Sequence, residues 1–312
     1  MISVLSFNTD LTKYCNRRKN ENNCIDPDFI PYFMDKIRRN ERYSPIICIG
    51  LQNTKTRGVT IQKDGLIDAF EEILSPVGYK LVGYNKHRDL TGITSSGLRI
   101  AIFIKIEYKV SNIRKFNFGS KCIGVTLKIG EENISFVCIH IKKNNNSSQF
   151  IDLIHKIQSK CNKFIICGTM NFNLHACDPH MHTIIKNIMK HKLTNNMNSE
   201  FNDVYKKCDT LYSIIKTHDY LTEGIKGAGP NFLPNYKLKK QGINSKTTKN
   251  YNLLGIERKS NDYTNELPQW NDRILYNKNY IKCNFYYKFD KGNTYYSSHA
   301  PIIGKYDIIK SD

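Results

Sequence analysis

The chain is built from short runs of β-branched and aromatic residues that stop abruptly at a polar residue. This pattern confines it to a sheet-dominated α/β fold. Ile2-Ser-Val-Leu-Ser-Phe7 ends at Asn8-Thr9-Asp10, and Pro45 to Leu51 ends at Gln52-Asn53. Cys122 to Ile129 and Ile134 to Ile141 read as a hairpin across Gly130-Glu131-Glu132-Asn133, and Lys163 to Cys167 ends at Gly168-Thr169-Met170-Asn171. Short runs that are apolar almost throughout are buried strands. Further strands are predicted over Tyr79 to Tyr84, Gly97 to Ile106, Tyr280 to Phe289 and Pro301 to Tyr306, with a polar loop from Asn85 to Ser96. Apolar residues at helical spacing predict helices over Asp26 to Arg39, Asp64 to Leu74, Gln149 to Cys161 and Ile184 to His191. Residues 193–265 are rich in Lys and Asn and weakly periodic, which predicts long loops with short helices. No internal repeat of solenoid period is present. The expectation is one α/β domain over residues 1–312, with antiparallel or mixed sheets.

Composition narrows the partners. The formal net charge is +19, which favours nucleic acid, an anionic membrane surface or a polyphosphate. The abundance of Lys, Asn and Ile is also what AT-rich coding, as in a virus or parasite, produces. The ten cysteines form no C-x-x-C pair, and several sit inside apolar runs, as Cys48 and Cys138 do. That is the usage of reduced core thiols in an intracellular protein. No apolar run is long enough to span a bilayer, and no secretory signal pattern opens the chain. The expectation is a cytoplasmic protein whose membrane contact, where it has any, is peripheral.

The polar residues that end the strands form the candidate site: Asn8, Asn53, His140, Thr169 with Asn171, and Ser298 with His299. Strand ends on one side of a sandwich gather side chains from distant sequence into one cleft. A further segment, Pro268-Gln-Trp-Asn-Asp-Arg-Ile-Leu275, holds the only tryptophan. A Trp beside Asp272-Arg273, just before a strand, suggests a buried anchor with charges at a cleft rim. The plainer alternative is a loop in which Asp272 and Arg273 form one ion pair.

This order of motifs resembles the endonuclease/exonuclease/phosphatase superfamily. Pro230-Asn-Phe-Leu-Pro-Asn-Tyr-Lys237, after Glu223-Gly224, and Pro268 to Leu275 are similar to two segments of its inositol polyphosphate 5-phosphatase branch. The resemblance spans Ser6 to Pro301. It implies a four-layered α/β/β/α sandwich with two packed mixed β-sheets, and Mg²⁺-assisted hydrolysis of a 5-phosphate on inositol lipids or soluble inositol phosphates. It implies roles too. Asn8 and position 53 hold the metal; His140 and His299 donate to phosphoryl oxygens; Asn171 steadies the transition state. Tyr236 and Lys237 grip a neighbouring 4-phosphate, while Asp272 and Arg273 buttress the substrate-side wall.

Three positions depart from that pattern. The metal-binding glutamate is replaced by Asn53, the water-activating aspartate by Thr169, and the aspartate that orients the final histidine by Ser298. Mg²⁺ needs hard anionic oxygens, and neither Thr nor Ser replaces a base. The family's basic residues just before Pro268 are Thr264 and Glu266. The reading that follows is a 5-phosphatase-like protein with lost or strongly reduced hydrolysis, acting as a binding or structural module for inositol phosphates or phosphoinositide head groups. The alternatives are an active phosphoinositide phosphatase with rearranged ligands, to which Asp10, Asp272 or Glu223 supplies a carboxylate, and a nucleic-acid binder or nuclease of the same superfamily.

Overall fold

The computed structural model describes residues 1–10, 13–14, 24–25, 29–39, 42–54, 65–89, 96–141, 147–172, 174, 199–232, 234–236, 269–289 and 297–309. Two six-stranded sheets dominate it. The first contains β1 (Ile2–Asn8), β2 (Ile46–Gln52), β3 (Tyr79–Asp89) and β4 (Ser96–Lys105). The second contains β5 (Val110–Asn117), β6 (Cys122–Ile129), β7 (Glu132–His140), β8 (Phe164–Thr169), β9 (Leu221–Glu223) and β10 (Asp272–Asn277). The chain then returns to the first sheet with β11 (Ile281–Lys288) and β12 (Ile302–Ile308). The strand orders are β11-β12-β1-β2-β4-β3 and β9-β10-β8-β7-β6-β5. Both sheets are mixed: β1 runs parallel to β2 and β7 parallel to β8, while the other pairs are antiparallel.

The sheets pack face to face because the strands are apolar on both sides. Val4, Cys48, Ile102, Val125, Phe136, Ile165 and Ile274 meet in the layer between them. Gly50 lets them approach: a Cβ there would stand 2.3 Å from Cys167 Sγ. Helices α1 (Phe29–Ile37) and α2 (Gly65–Leu74) cover the outer face of the first sheet through Phe33, Ile37, Leu66 and Phe70. Helix α3 (Ser147–Gln158) covers the second through Phe150, Leu153, Ile154 and Ile157. After it come α4 (Ser199–Cys208) and α5 (Thr210–Lys216). The result is the expected four-layered sandwich.

Three elements differ from the sequence expectation. Strand β3 runs on to Asp89, into the stretch expected to be a loop, because its hydrogen-bonding partner β4 continues alongside it. Strand β5 was not expected at all. It is an edge strand, exposed almost throughout, so it carries no apolar pattern to read. Strand β9 is only three residues long. The helix expected over Ile184 to His191 lies outside the described residues. Cys48, Cys122, Cys138, Cys161, Cys167, Cys208 and Cys283 are free, and all are buried except the half-buried Cys161. No helix among the described residues is long and apolar enough to cross a membrane.

A fully buried guanidinium ties the second sheet to its flanking chain. Arg273 Nε donates to both oxygens of Glu223 at 2.7 and 2.8 Å, and Nη1 donates to Asp209 at 2.9 Å. Glu223 also accepts from the Tyr286 hydroxyl at 2.7 Å and from the Tyr205 hydroxyl at 3.3 Å. Asp209 serves a second role as the N-cap of α5, accepting from the Tyr212 amide. Burial opposes the charge on Arg273, but Asp209 and Glu223 outweigh it and hold its pKa above the usual value. Arg273→Ala would leave two carboxylates buried without their cation. It is expected to lower unfolding free energy by about 3–5 kcal/mol, read from urea denaturation. A near-wild-type midpoint would show that the network is dispensable.

Candidate functional site

Strands β1 and β2 of the first sheet and β7 and β8 of the second end on the same side of the sandwich, where β10 begins. The parallel registers align Asn8 with Gln52 and His140 with Thr169; the antiparallel one sets Thr169 beside Asp272. Gly168 adopts φ +146°, and a Cβ there would strike the Ile139 carbonyl at 2.0 Å. Only glycine lets the chain deliver Thr169 in this pose.

These strand ends are joined by one directed chain of hydrogen bonds across the gap between the sheets. Asn53 Nδ2 donates to Asn8 Oδ1 at 3.1 Å, and Asn8 Nδ2 donates to Thr169 Oγ1 at 2.9 Å. The Thr169 hydroxyl donates to Asp272 Oδ1 at 2.7 Å. Asp272 Oδ2 is 2.6 Å from His299 Nδ1. Asn8, Thr169 and Asp272 are buried, as is almost all of His299. The chain therefore runs from neutral amides to a single carboxylate held between a hydroxyl and an imidazole. The Tyr236 ring lies 4.4 Å, centroid to centroid, from the His299 ring.

A second set of contacts fixes the loops around this chain. Asn235 is fully buried. Its Oδ1 accepts from the Asn271 amide at 3.0 Å, its Nδ2 donates to the Asp272 carbonyl at 2.7 Å, and its own carbonyl accepts from Ala300 N. It thus joins three distant segments. Trp270 Nε1 donates to the Phe232 carbonyl at 2.8 Å, docking the two motif segments on each other. Asn171 spans from the Ile141 carbonyl to the Asn271 side chain. Ser298 Oγ donates to Asp10 Oδ2 at 2.8 Å, and Ser297 Oγ to the Asn8 carbonyl at 2.7 Å. Asn53, Asp10 and Asn171 all take positive φ near +50°, which Asn and Asp tolerate best among non-glycine residues.

The structure brings Asn8, Asn53, His140, Thr169, Asn171, Tyr236, Asp272, Ser298 and His299 to one end of the sandwich. Lys237, Thr264 and Glu266 lie outside the described residues. Two expectations are corrected. Arg273 does not face the cleft: it is fully buried and its donors are taken by Glu223, Asp209, Tyr205 and the Trp270 carbonyl. Asp272 and Arg273 accordingly do not pair with each other. The partner of His299 Nδ1 is Asp272, and Ser298 turns instead to Asp10. Asn235 and Asn271 are not singled out from sequence, and Asp10 is named there only as a substitute carboxylate. For Asn235 the only available signal was its place inside the Pro-Asn-Tyr-Lys segment.

The described residues at this site do not fit a magnesium ion. Both Asp272 oxygens are committed to Thr169 and His299, and Asn8 Oδ1 already accepts from Asn53 and from the Asp10 amide. Among the described residues, no group of three or more His, Cys, Asp or Glu is gathered so that it could hold a metal.

No protein-family profile matches the sequence, and no curated protein sequence matches it. Solved structures do. The inositol polyphosphate 5-phosphatase domain of SPsynaptojanin, in complex with inositol (1,4)-bisphosphate and a calcium ion, is 14% identical with a TM-score of 0.59. The match covers 98% of this chain and 83% of that one. An endonuclease/exonuclease/phosphatase family protein from Leptotrichia buccalis C-1013-b is 12% identical with a TM-score of 0.51, covering 98% of this chain and 100% of that one. The chain shares the two-sheet sandwich fold of these structures. A ferrous NO complex of Cimex nitrophorin, 14% identical, has a TM-score of 0.59 over 98% of this chain and 97% of that one. One sandwich thus carries a phosphatase domain and a nitric-oxide complex, so the fold alone does not say what a given chain does.

Thr169 is the link that failure of the chain would expose. Thr169→Val keeps the shape but removes the donor to Asp272 and the acceptor for Asn8. It is expected to cost about 1–3 kcal/mol of stability by urea unfolding, while Thr169→Ser stays close to wild type. Equal midpoints for the two variants would show that Asp272 does not depend on this hydroxyl.

Proposed function

We propose that this chain is a 5-phosphatase-like module that binds phosphate esters, with hydrolysis lost or strongly reduced. The observation that carries the reading is the Thr169 hydroxyl seated between Asn8 and Asp272. The position that would bear a water-activating carboxylate instead donates a hydrogen bond and has no charge. Asn53 in place of glutamate removes a second negative charge. A cleft stripped of those carboxylates no longer needs a divalent cation to accept an anionic phosphate. Its amides and histidines are neutral or positive partners for phosphoryl oxygens. The ligands of this reading are inositol phosphates or phosphoinositide head groups, and Tyr236 against His299 is the wall they meet.

A second reading is supported by the Asp272–His299 pair. A carboxylate on Nδ1 fixes the imidazole tautomer and leaves Nε2 for proton transfer, as an active hydrolase with rearranged ligands would require. Phosphate release from phosphatidylinositol 4,5-bisphosphate and from soluble inositol trisphosphate, with Mg²⁺, separates the two. The wild type is expected to be silent. The variant Asn53→Glu/Thr169→Asp/Ser298→Asp is expected to recover turnover if its added carboxylates are tolerated beside Asp272. Turnover by the wild type, lost in His299→Ala, would establish the second reading and discard the first. Binding gives an independent check: inositol trisphosphate affinity, measured by calorimetry, is expected to be unchanged by EDTA and to fall by about tenfold or more in His299→Ala, the scale of one lost charge-assisted hydrogen bond. Binding that disappears in EDTA would contradict the metal-free cleft.

A further inference from the structure

The end of the sandwich opposite the cleft is a separate surface. Strand β7 starts there at Glu132 and reaches the cleft at His140, so the two ends lie about 26 Å apart at about 3.3 Å per residue. The connections at this end are short: residues 75–78, 106–109, 130–131, 159–163 and 278–280. Two features coincide on it.

The first is apolar. Val77, Ile106, Tyr108, Ile113 and Ile309 are the exposed large hydrophobic residues among those described, and Ile106 is 59% exposed. Four of them occupy one corner. Val77 stands beside the β4–β5 turn through the Ile106 amide on the Gly78 carbonyl and Lys105 Nζ on the Val77 carbonyl; Tyr108 lies in that turn and Ile113 follows in β5. Aliphatic side chains at turn tips contribute nothing to the fold's own core.

The second is basic. A groove of about 620 Å³ opens beside this corner, with Arg114, Lys115, Lys160 and Lys163 on its walls and Phe116 and Tyr280 lining it. The groove's two glutamates are already paired, Glu131 with Lys128 at 2.7 Å and Glu132 with Lys163. Among the described residues Arg114, Lys115 and Lys160 have no ion-pair partner. One carboxylate, Glu107, stands in the apolar turn.

We infer that this end docks on an anionic lipid bilayer, with head-group phosphates in the basic groove and Ile106 and Tyr108 entering the interface. Cations alone would suit any polyanion. Aliphatic turn tips beside them favour a bilayer over a nucleic acid, whose backbone offers isoleucine nothing to bury against. Neither signal alone holds a protein on a membrane, but two together do. The orientation has a consequence that rests on the proposed cleft function: the cleft faces water, so its ligand is a soluble phosphate ester and not a lipid of the same bilayer.

Co-sedimentation with phosphatidylcholine vesicles, with and without phosphatidylserine, tests the docking face. The wild type is expected to sediment with the phosphatidylserine vesicles only, and less as salt rises. Ile106→Asp/Tyr108→Asp and, separately, Arg114→Glu/Lys160→Glu are each expected to weaken vesicle binding by about tenfold or more. All these positions are exposed, and unchanged thermal melting will show that the variants fold. His299→Ala is expected to lose inositol trisphosphate while still sedimenting, which separates the face from the cleft. The inference is overturned if the wild type ignores phosphatidylserine vesicles, or if the Ile106/Tyr108 variant sediments as wild type does. It is equally overturned if sedimentation needs His299, or if a single-stranded oligonucleotide, and no vesicle, is bound through Arg114 and Lys160.

Discussion

The second sheet and the chain beside it depend on one buried charge. Arg273 is surrounded by Glu223 from β9, Asp209 at the start of α5, the hydroxyl of Tyr205 on α4 and the Trp270 carbonyl. A guanidinium out of water must spend every donor, and its planar fork sets where each acceptor stands. Burial, followed by the charge of Glu223, pushes the Tyr205 and Tyr286 phenols well up, so both remain hydrogen-bond donors to that carboxylate. The edge of the sheet, two helices and the tryptophan loop are thereby fixed relative to β10. What β10 presents at its first residue is fixed with them.

That first residue is Asp272. Neighbouring side chains of the same strand thus serve two different ends: Arg273 organises the interior and Asp272 organises the cleft. Amide, amide, hydroxyl, carboxylate and imidazole form a line in which each donor has an acceptor and one carboxylate carries the negative charge. Within this line no second carboxylate stands beside Asp272 to repel it. The same sandwich elsewhere holds an inositol bisphosphate with calcium or a ferrous NO complex.

The two ends of the molecule differ in chemistry. Polar residues close the strands on the cleft side, while short turns with lysines and exposed aliphatics close them on the other. The full length of β7, Glu132–His140, separates them.

Much of this was legible in the sequence. Apolar runs set the buried strands, since a strand covered on both faces must be hydrophobic on both, and the polar stops mark Asn8, Asn53 and Thr169, whereas His299 does not end a strand but lies in the loop before β12. That positions 53, 169 and 298 carry no carboxylate was equally visible, being a matter of residue identity. Tertiary structure alone decided the pairings. Asp272 with His299, Ser298 with Asp10, and Asn235 across three segments join residues 27, 288 and 37 positions apart, and nothing local in the chain encodes such contacts. Edge strand β5 escaped notice because exposure removes the apolar pattern that marks a strand. Sequence reports which groups a chain owns, through residue identity and burial periodicity; only the packed sheets determine which of those groups touch, because hydrogen bonds form between neighbours in space.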